Sequence, residues 1–256
     1  MMVEGVHWLP GQDAADVAWK LVATNLSDLA AKGAEPLGVL LGYSLGGDDM
    51  RFLEGLREVL AVFGVPLLGG DTVAAGGPQS HGLTAIGRAT YRPVPSRAGA
   101  RPGDGVWLTG QLGAAMTGFE ALRDGDATAD TLAFRRPSPR LAEGRALAPL
   151  VTAMMDVSDG LLLDATRLAR ASDVTLAIAS TAVPLAAGLR ERGRTDDALR
   201  WGDDYELLFT APEGFSPPVP ASRIGVVMPA GEDPLLLDGA PPDAGRALGY
   251  LHAAPR

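Results

Sequence analysis

Hydrophobic and polar residues follow two rhythms along this chain. Residues 3–8 form a short apolar-rich run that reads as a strand. From 13 to 32 the apolar positions fall at helical spacing, with Ala18, Val22, Leu26 and Leu29 in one stripe and Val17 and Leu21 beside it. Asp13 and Asp16 suit the positive end of that helix, and Gly33 suits its C-terminal cap. Residues 37–41 are continuously apolar, which predicts a buried strand. Residues 48–63 predict a second amphipathic helix, stopped by Gly64. A short strand at 65–68 then runs into Gly69-Gly70-Asp71-Thr72, and a further strand covers 81–90. The order of this half is β-α-β-α-β-β.

A polar stretch rich in proline and glycine, residues 92–104, separates the two halves. It predicts one domain over 1–95 and a second over 96–256. The second half reads as a strand at 105–109, a helix at 112–124, helical turns within 140–151 and a strand into Met155-Asp156. A helix at 159–172 follows, then strands near 174–178, 205–210, 223–227 and 235–237. The fold class is therefore α/β (α+β) in two domains, with residues 212–220 as a surface loop.

The 256 residues are 46% hydrophobic, enough apolar material for two cores, and 21% charged, which argues against disorder. A formal net charge of −9 argues against a nucleic-acid partner, whose phosphates need a basic surface. Lys20 and Lys32 are the only lysines, and this scarcity reads as compositional bias without mechanistic meaning. The absence of cysteine excludes a cysteine nucleophile, a thiolate zinc site and a disulfide. The first ten residues lack the basic and apolar segments of a secretory signal, and no run approaches the ~18 apolar residues of a spanning helix. The expectation is a soluble, cytoplasmic protein without a membrane partner.

Four acidic clusters carry the candidate chemistry. Asn25 and Asp28 flank the apolar stripe of the first helix, where an unpaired polar group is costly; a solvated helix face is the plain alternative. In Gly69-Gly70-Asp71-Thr72 the glycines would admit a ligand close to the backbone and Asp71 could hold Mg²⁺; the plain alternative is a tight turn. Asp156-Val157-Ser158-Asp159-Gly160 precedes a helix. Ser158 or Asp159 would serve as its N-cap, which leaves a second carboxylate unexplained. Gly202-Asp203-Asp204-Tyr205-Glu206 enters a strand, so its acidic side chains alternate in direction.

In order, VEGVHW (3–8), NLSDLAAKGAEP (25–36), GGDT (69–72), SRAGARPGDGVWLTGQLG (96–113), RRPSPR (135–140), AMMDVSDGL (153–161) and GDDYELLFT (202–210) resemble the thiamine-monophosphate kinases. The resemblance implies a fold like that of aminoimidazole ribonucleotide synthetase and selenophosphate synthetase, dimerisation through the N-terminal sheets, and a cleft between the domains for ATP and thiamine monophosphate. It implies several Mg²⁺ ions held by Asp28, Asp71, Asp156 and Asp159, and ATP contacts from Gly70, Asp71, Arg97 and Ser158. Substrate contacts fall on His7, Asp203 and Tyr250. Asp203 stands where the family has Glu, and Leu53 where it has an ATP-contacting Tyr. The resemblance also implies that the family's first strand and first acidic motif lie upstream of Met1, so that residues 1–256 alone would be poorly soluble or nearly inactive.

Neither a GxxxxGK[ST] loop nor a GxGxxG loop is present, so a kinase built on this chain would handle phosphate through metal and carboxylates. Two other readings stand beside it. One is a relative that binds thiamine phosphates without turnover. The other is an α/β-hydrolase, because Gly42-Tyr43-Ser44-Leu45-Gly46 fits GxSxG with His252 downstream. Against the hydrolase, Gly46-Gly47-Asp48-Asp49 separates Ser44 from the next helix, and only 43 residues precede Ser44. Without the resemblance His7 is an ordinary strand residue. His81 reads as exposed, and Trp8 and Trp107 read as core.

Overall fold

The computed structural model describes residues 1–74 and 76–251. In the N-terminal half, helix α1 (Ala14–Ala30) starts where the Asp13 carboxylate accepts from Ala15 N at 2.9 Å. Its stripe of Ala18, Leu21, Val22 and Leu26 is fully buried. Helix α2 (Asp49–Phe63) is capped by Asp48, which accepts from Arg51 N at 3.2 Å, and ends at Gly64 with φ 64°. Both helices pack on one face of a four-stranded sheet ordered β1 (Met2–Val3), β4 (Ser80–Ala89), β2 (Ala34–Leu45), β3 (Leu67–Ala74). Strands β2 and β3 are parallel; β4 runs antiparallel to β1 and β2. Val39, Leu41 and Leu83 face the helices, whereas Leu40 and Ile86, out of phase with them, are exposed.

Three local expectations change here. The strand read over 3–8 shrinks to β1, because Gly5 takes φ 76° and the chain turns so that Glu4 bridges to Trp8. Strand β3 does not stop at its glycines but runs through Asp71 to Ala74. A Cβ at Gly70 would lie 2.0 Å from the Leu41 carbonyl oxygen, so pairing with β2 by itself demands glycine there. His81 is 1% exposed, not exposed as expected. Its ring stacks between Trp8 and Tyr43, with centroids 5.5 and 4.7 Å away.

The C-terminal half contains β5 (Gly105–Thr109), α3 (Ala114–Asp124), α4 (Leu132–Arg135), α5 (Leu141–Leu147), β6 (Ala153–Asp156), α6 (Leu161–Ser172) and β7 (Val174–Ile178). It continues with α7 (Thr195–Arg200), β8 (Leu207–Ala211), β9 (Ala221–Pro229) and β10 (Leu235–Leu237). The sheet order is β10-β7-β9-β5-β8-β6. The short helices α4 and α7 have too few turns to leave a period in the sequence.

Helix α1 also packs against the second half. Leu26 and Ala30 share a core with Leu147, Met154, Leu207 and Phe209. A Cβ at Gly144 of α5 would sit 2.0 Å from the Ala30 carbonyl oxygen, so glycine permits the close crossing. Asp16, 1% exposed, pairs with both Arg135 and Arg136, and Trp19 Nε1 donates to Pro137 O at 3.0 Å. Among the described residues no helix is long and apolar enough to cross a membrane.

Burial inside the ring stack lowers the pKa of His81, although Asp49 and Glu4 oppose the effect. The unfolded chain then takes up a proton first as pH falls below about 6.5, and the folded state loses stability on the acid side. The expected outcome is that His81→Phe flattens the pH dependence of the melting temperature between pH 7.5 and pH 5. A parallel fall in variant and wild type would show that His81 is not the titrating group.

Candidate active site

A cleft of about 880 Å³ opens between the halves. Asn25 and Asp28 reach it from α1, Asp156 from the end of β6, Ser158 and Asp159 from the loop before α6, and Asp203 and Tyr205 from the segment entering β8. His7 and Tyr250 line it from the two ends of the chain, and Phe119, Phe134 and Trp201 form an aromatic wall. The Phe119 ring lies 5.3 Å from Phe134 and 5.2 Å from Trp201. A smaller cavity of about 310 Å³ shares Asp28 and Asp156 and is otherwise lined by Ala31, Lys32, Ser96, Arg97 and Met155. Asp28 and Asp156 thus stand where an acidic, aromatic chamber meets a basic one.

These two carboxylates are the electrostatic centre. Burial, and then the Asp28 charge, push the Asp156 pKa up to about 6, while a hydrogen bond from Ser27 Oγ at 2.7 Å opposes the rise. Burial also raises Asp28, against the positive charges of Lys32 and Arg97. A buried Asp156 and a more exposed Asp28 facing one space suit a shared divalent cation. Mg²⁺ binds through one or two carboxylates and completes its shell with phosphate and water. Lys32 and Arg97 give the smaller cavity its positive charge.

The four implied metal ligands do not form one cluster. Among the described residues no three His, Asp or Glu side chains converge into a metal-binding group. Asp159 is tied to Arg167, and Asp71 is exposed on β3, where it accepts from Thr72 N at 2.9 Å. Gly70 and Asp71 line neither cavity. Arg97 lines the smaller one, and its carbonyl accepts from Ser172 Oγ at 2.9 Å.

The loop before α6 is built differently from its reading as a side-chain N-cap. The first-turn carboxylate of Asp164, fully buried, accepts from Ser158 N and Asp159 N, both at 3.0 Å, and Gly160 with φ 108° occupies the cap position. Asp164, six and five positions further on, satisfies the amides of Ser158 and Asp159, so neither side chain is spent on capping; Ser158 lines the cleft and Asp159 pairs with Arg167 at its edge. The acidic residue in the helix's first turn was the available signal.

Sequence reading also passed over Lys20. Its ammonium donates to Asp203 Oδ2 at 2.7 Å and to the His7 carbonyl at 3.1 Å, and lies 3.6 Å from the Phe134 ring centroid. The other Asp203 oxygen accepts from Tyr205 Oη at 2.7 Å. The available signal was a cation placed between Val17 and Leu21 on a buried stripe. His7 Nδ1 accepts from Val3 N at 3.0 Å, and Tyr250 N donates to Asp159 O at 2.8 Å. Ser44 is buried next to the end of β2, still paired with Val73 of β3, and residues 45–48 separate it from α2, so no sharp strand-to-helix elbow presents its hydroxyl and the hydrolase reading lacks its nucleophile turn; His252 lies outside the described residues.

Residues 1–89 match the AIR synthase related protein N-terminal domain, and residues 101–217 match the corresponding C-terminal domain. The molecule is thus of the two-domain AIR synthase related class. Thiamine-monophosphate kinase of Escherichia coli K12 is 40% identical over 232 residues, covering 83% of this chain and 69% of the relative. The crystal structure of thiamine monophosphate kinase from Aquifex aeolicus superposes with a TM-score of 0.84 at 30% identity, covering 93% of this chain and 85% of that one. AaThiL complexed with AMPPCP and TMP gives the same score and identity, covering 93% and 81%. The chain belongs to the thiamine-monophosphate kinase family.

The raised carboxylate pKa has a consequence for stability. A carboxylic acid with a raised folded pKa destabilises the fold as pH rises from about 4 through about 6. Asn at 156 can still accept the Ser27 hydrogen bond without the buried charge. Asp156→Asn is therefore expected to be as stable as wild type or more stable, by up to about 3 kcal/mol, at pH 8 without added metal, as read by chemical denaturation. A large loss of stability would show that the charge itself holds the fold.

Proposed function

We propose that this protein transfers the terminal phosphoryl group of ATP to thiamine monophosphate, giving ADP and thiamine diphosphate with Mg²⁺ required. The supporting observation is the meeting of Asp28 and Asp156 at the junction of an aromatic chamber and a basic one. The complex of AaThiL with AMPPCP and TMP agrees with that reading. A phosphate oxygen of thiamine monophosphate attacks the γ-phosphorus, the bond to the β-phosphate oxygen breaks, and ADP leaves with that electron pair.

The protein supplies alignment and charge for this reaction. Arg97 and Lys32 face the nucleotide phosphates, and the Ser158 hydroxyl is offered beside them. The aromatic wall and Tyr250 hold the planar rings of the acceptor, with His7 and Asp203 beside them. Asp28 and Asp156 would hold Mg²⁺, which when bound neutralises phosphate oxygens on both reactants. Asp159 stands ready at the same mouth, held by Arg167. The setting for such an activity is the cytoplasm.

The first test is turnover by the protein with any residues encoded upstream of Met1. Mg²⁺-dependent formation of thiamine diphosphate is expected, and Asp28→Asn and Asp156→Asn should each lower kcat at least ~100-fold while leaving the fold intact. Asp48→Asn, which touches only the α2 cap, is the control. Binding of thiamine monophosphate without ADP release would identify a non-catalytic binder instead.

The second test concerns assembly. The outer sheet face carries Leu40, Leu68, Val73 and Ile86, each at least 40% exposed, an apolar surface that a second copy of the chain would cover. A homodimer is expected by light scattering, and Leu40→Lys with Ile86→Lys should yield monomers. A wild-type protein that stays monomeric at micromolar concentration would reject this interface.

A further inference from the structure

Lys20 is 1% exposed and yet lines the cleft. Its three ammonium hydrogens are directed to the Asp203 carboxylate, the His7 carbonyl and the Phe134 ring face. It has no hydrogen to spare for a ligand. Asp203 is occupied as well, by Lys20 on one oxygen and Tyr205 Oη on the other. Neither group of this pair is a free charge awaiting substrate.

Stability does not account for such a pair. Taking two charges out of water costs several kcal/mol per ion, and apolar residues of similar volume often do as well or better. The backbone carrying Asp203 adds to the cost. Asp203 and Tyr205 hold φ of 64° and 53°, conformations unusual for residues with side chains and most often kept where function requires them.

The contacts join three segments on the acceptor side of the cleft. Lys20 holds the turn that presents His7, the Phe134 face of the aromatic wall, and the loop 202–205. That loop is in turn fastened to the nucleotide side, since Asp203 N donates to Ser158 O and Tyr205 N to Val157 O, both at 2.9 Å. The nucleotide side has its own support in Asp164, which holds the amides of Ser158 and Asp159. Loss of Lys20 therefore loosens the acceptor side first.

We infer that Lys20 is a positioning residue for the phosphate acceptor, acting through Asp203, His7 and Phe134, and that Asp203 serves this reaction as the anchor of Lys20. This inference rests on the proposed kinase activity. Lys20→Met and Asp203→Asn each strand a buried partner and are expected to lower the melting temperature. The double variant removes both charges, keeps an acceptor for Tyr205 Oη, and is expected to recover most of that loss.

The test is the steady-state kinetics of the wild type and the Lys20→Met/Asp203→Asn variant with thiamine monophosphate and ATP. The KM for thiamine monophosphate should rise at least about tenfold. The kcat and the KM for ATP should change less than about threefold. A folded double variant with the wild-type acceptor KM would overturn the positioning role and leave the kinase activity standing. A fall in kcat with unaltered acceptor KM would also overturn it, by placing Lys20 on the reacting atoms. No turnover by the wild type would remove the kinase reading itself, and this inference with it.

Discussion

Helix α1 buries three polar side chains, Asp16, Lys20 and Ser27, and the C-terminal half provides partners for each. Arg135 and Arg136 take Asp16, Asp203 takes Lys20, and Asp156 takes Ser27. At about 100° per residue these three positions fall within roughly 40° on one helix face. A buried polar group left unpaired costs more than most single contacts return, so this stripe sets how α1 docks. Docking in any other register would strand a cation or a carboxylate in the core. The cleft and the pairing of Asp28 with Asp156 follow from that one placement.

The site is assembled at the expense of comfort in the fold. Asp156 is pushed up to about 6 mainly by burial, aggravated by Asp28. Asp203 and Tyr205 are held in left-handed backbone. The folded chain supports these costs with a continuous core in which α1 packs on β2 and β4 on one side and near β6 and α5 on the other. Asp156 keeps one hydrogen bond, from Ser27, and Asp28 stands exposed beside it, so both retain oxygen lone pairs for a cation in the proposed reaction. A fully paired carboxylate ring would have little left to offer a metal.

Much of the fold was legible because α1, α2 and most strands are long enough to show a period or a continuous apolar run. Asp13, Asp48 and Gly64 marked helix ends with the chemistry that their positions require. The strand at 3–8 was misread because Gly5 turns the chain, and α4 and α7 left no signal because each spans barely a turn or two. His81 was misread because its surroundings, Trp8 and Tyr43, come from elsewhere in the chain.

The sequence by itself determined the order of elements, the acidic motifs and, through their blocks, the family. These depend on neighbours along the chain, and local spacing encodes them. Only the tertiary structure decided which acidic residues meet across the cleft and which are held in ion pairs. Asp28 and Asp156 approach from different halves, whereas Asp159 is held by Arg167 and Asp203 by Lys20. The same structure made Lys20 the tie between the halves, 183 positions from its carboxylate partner. Charge pairing acts through space and burial amplifies it, so no local pattern could have told a solvated carboxylate from a buried and coupled one.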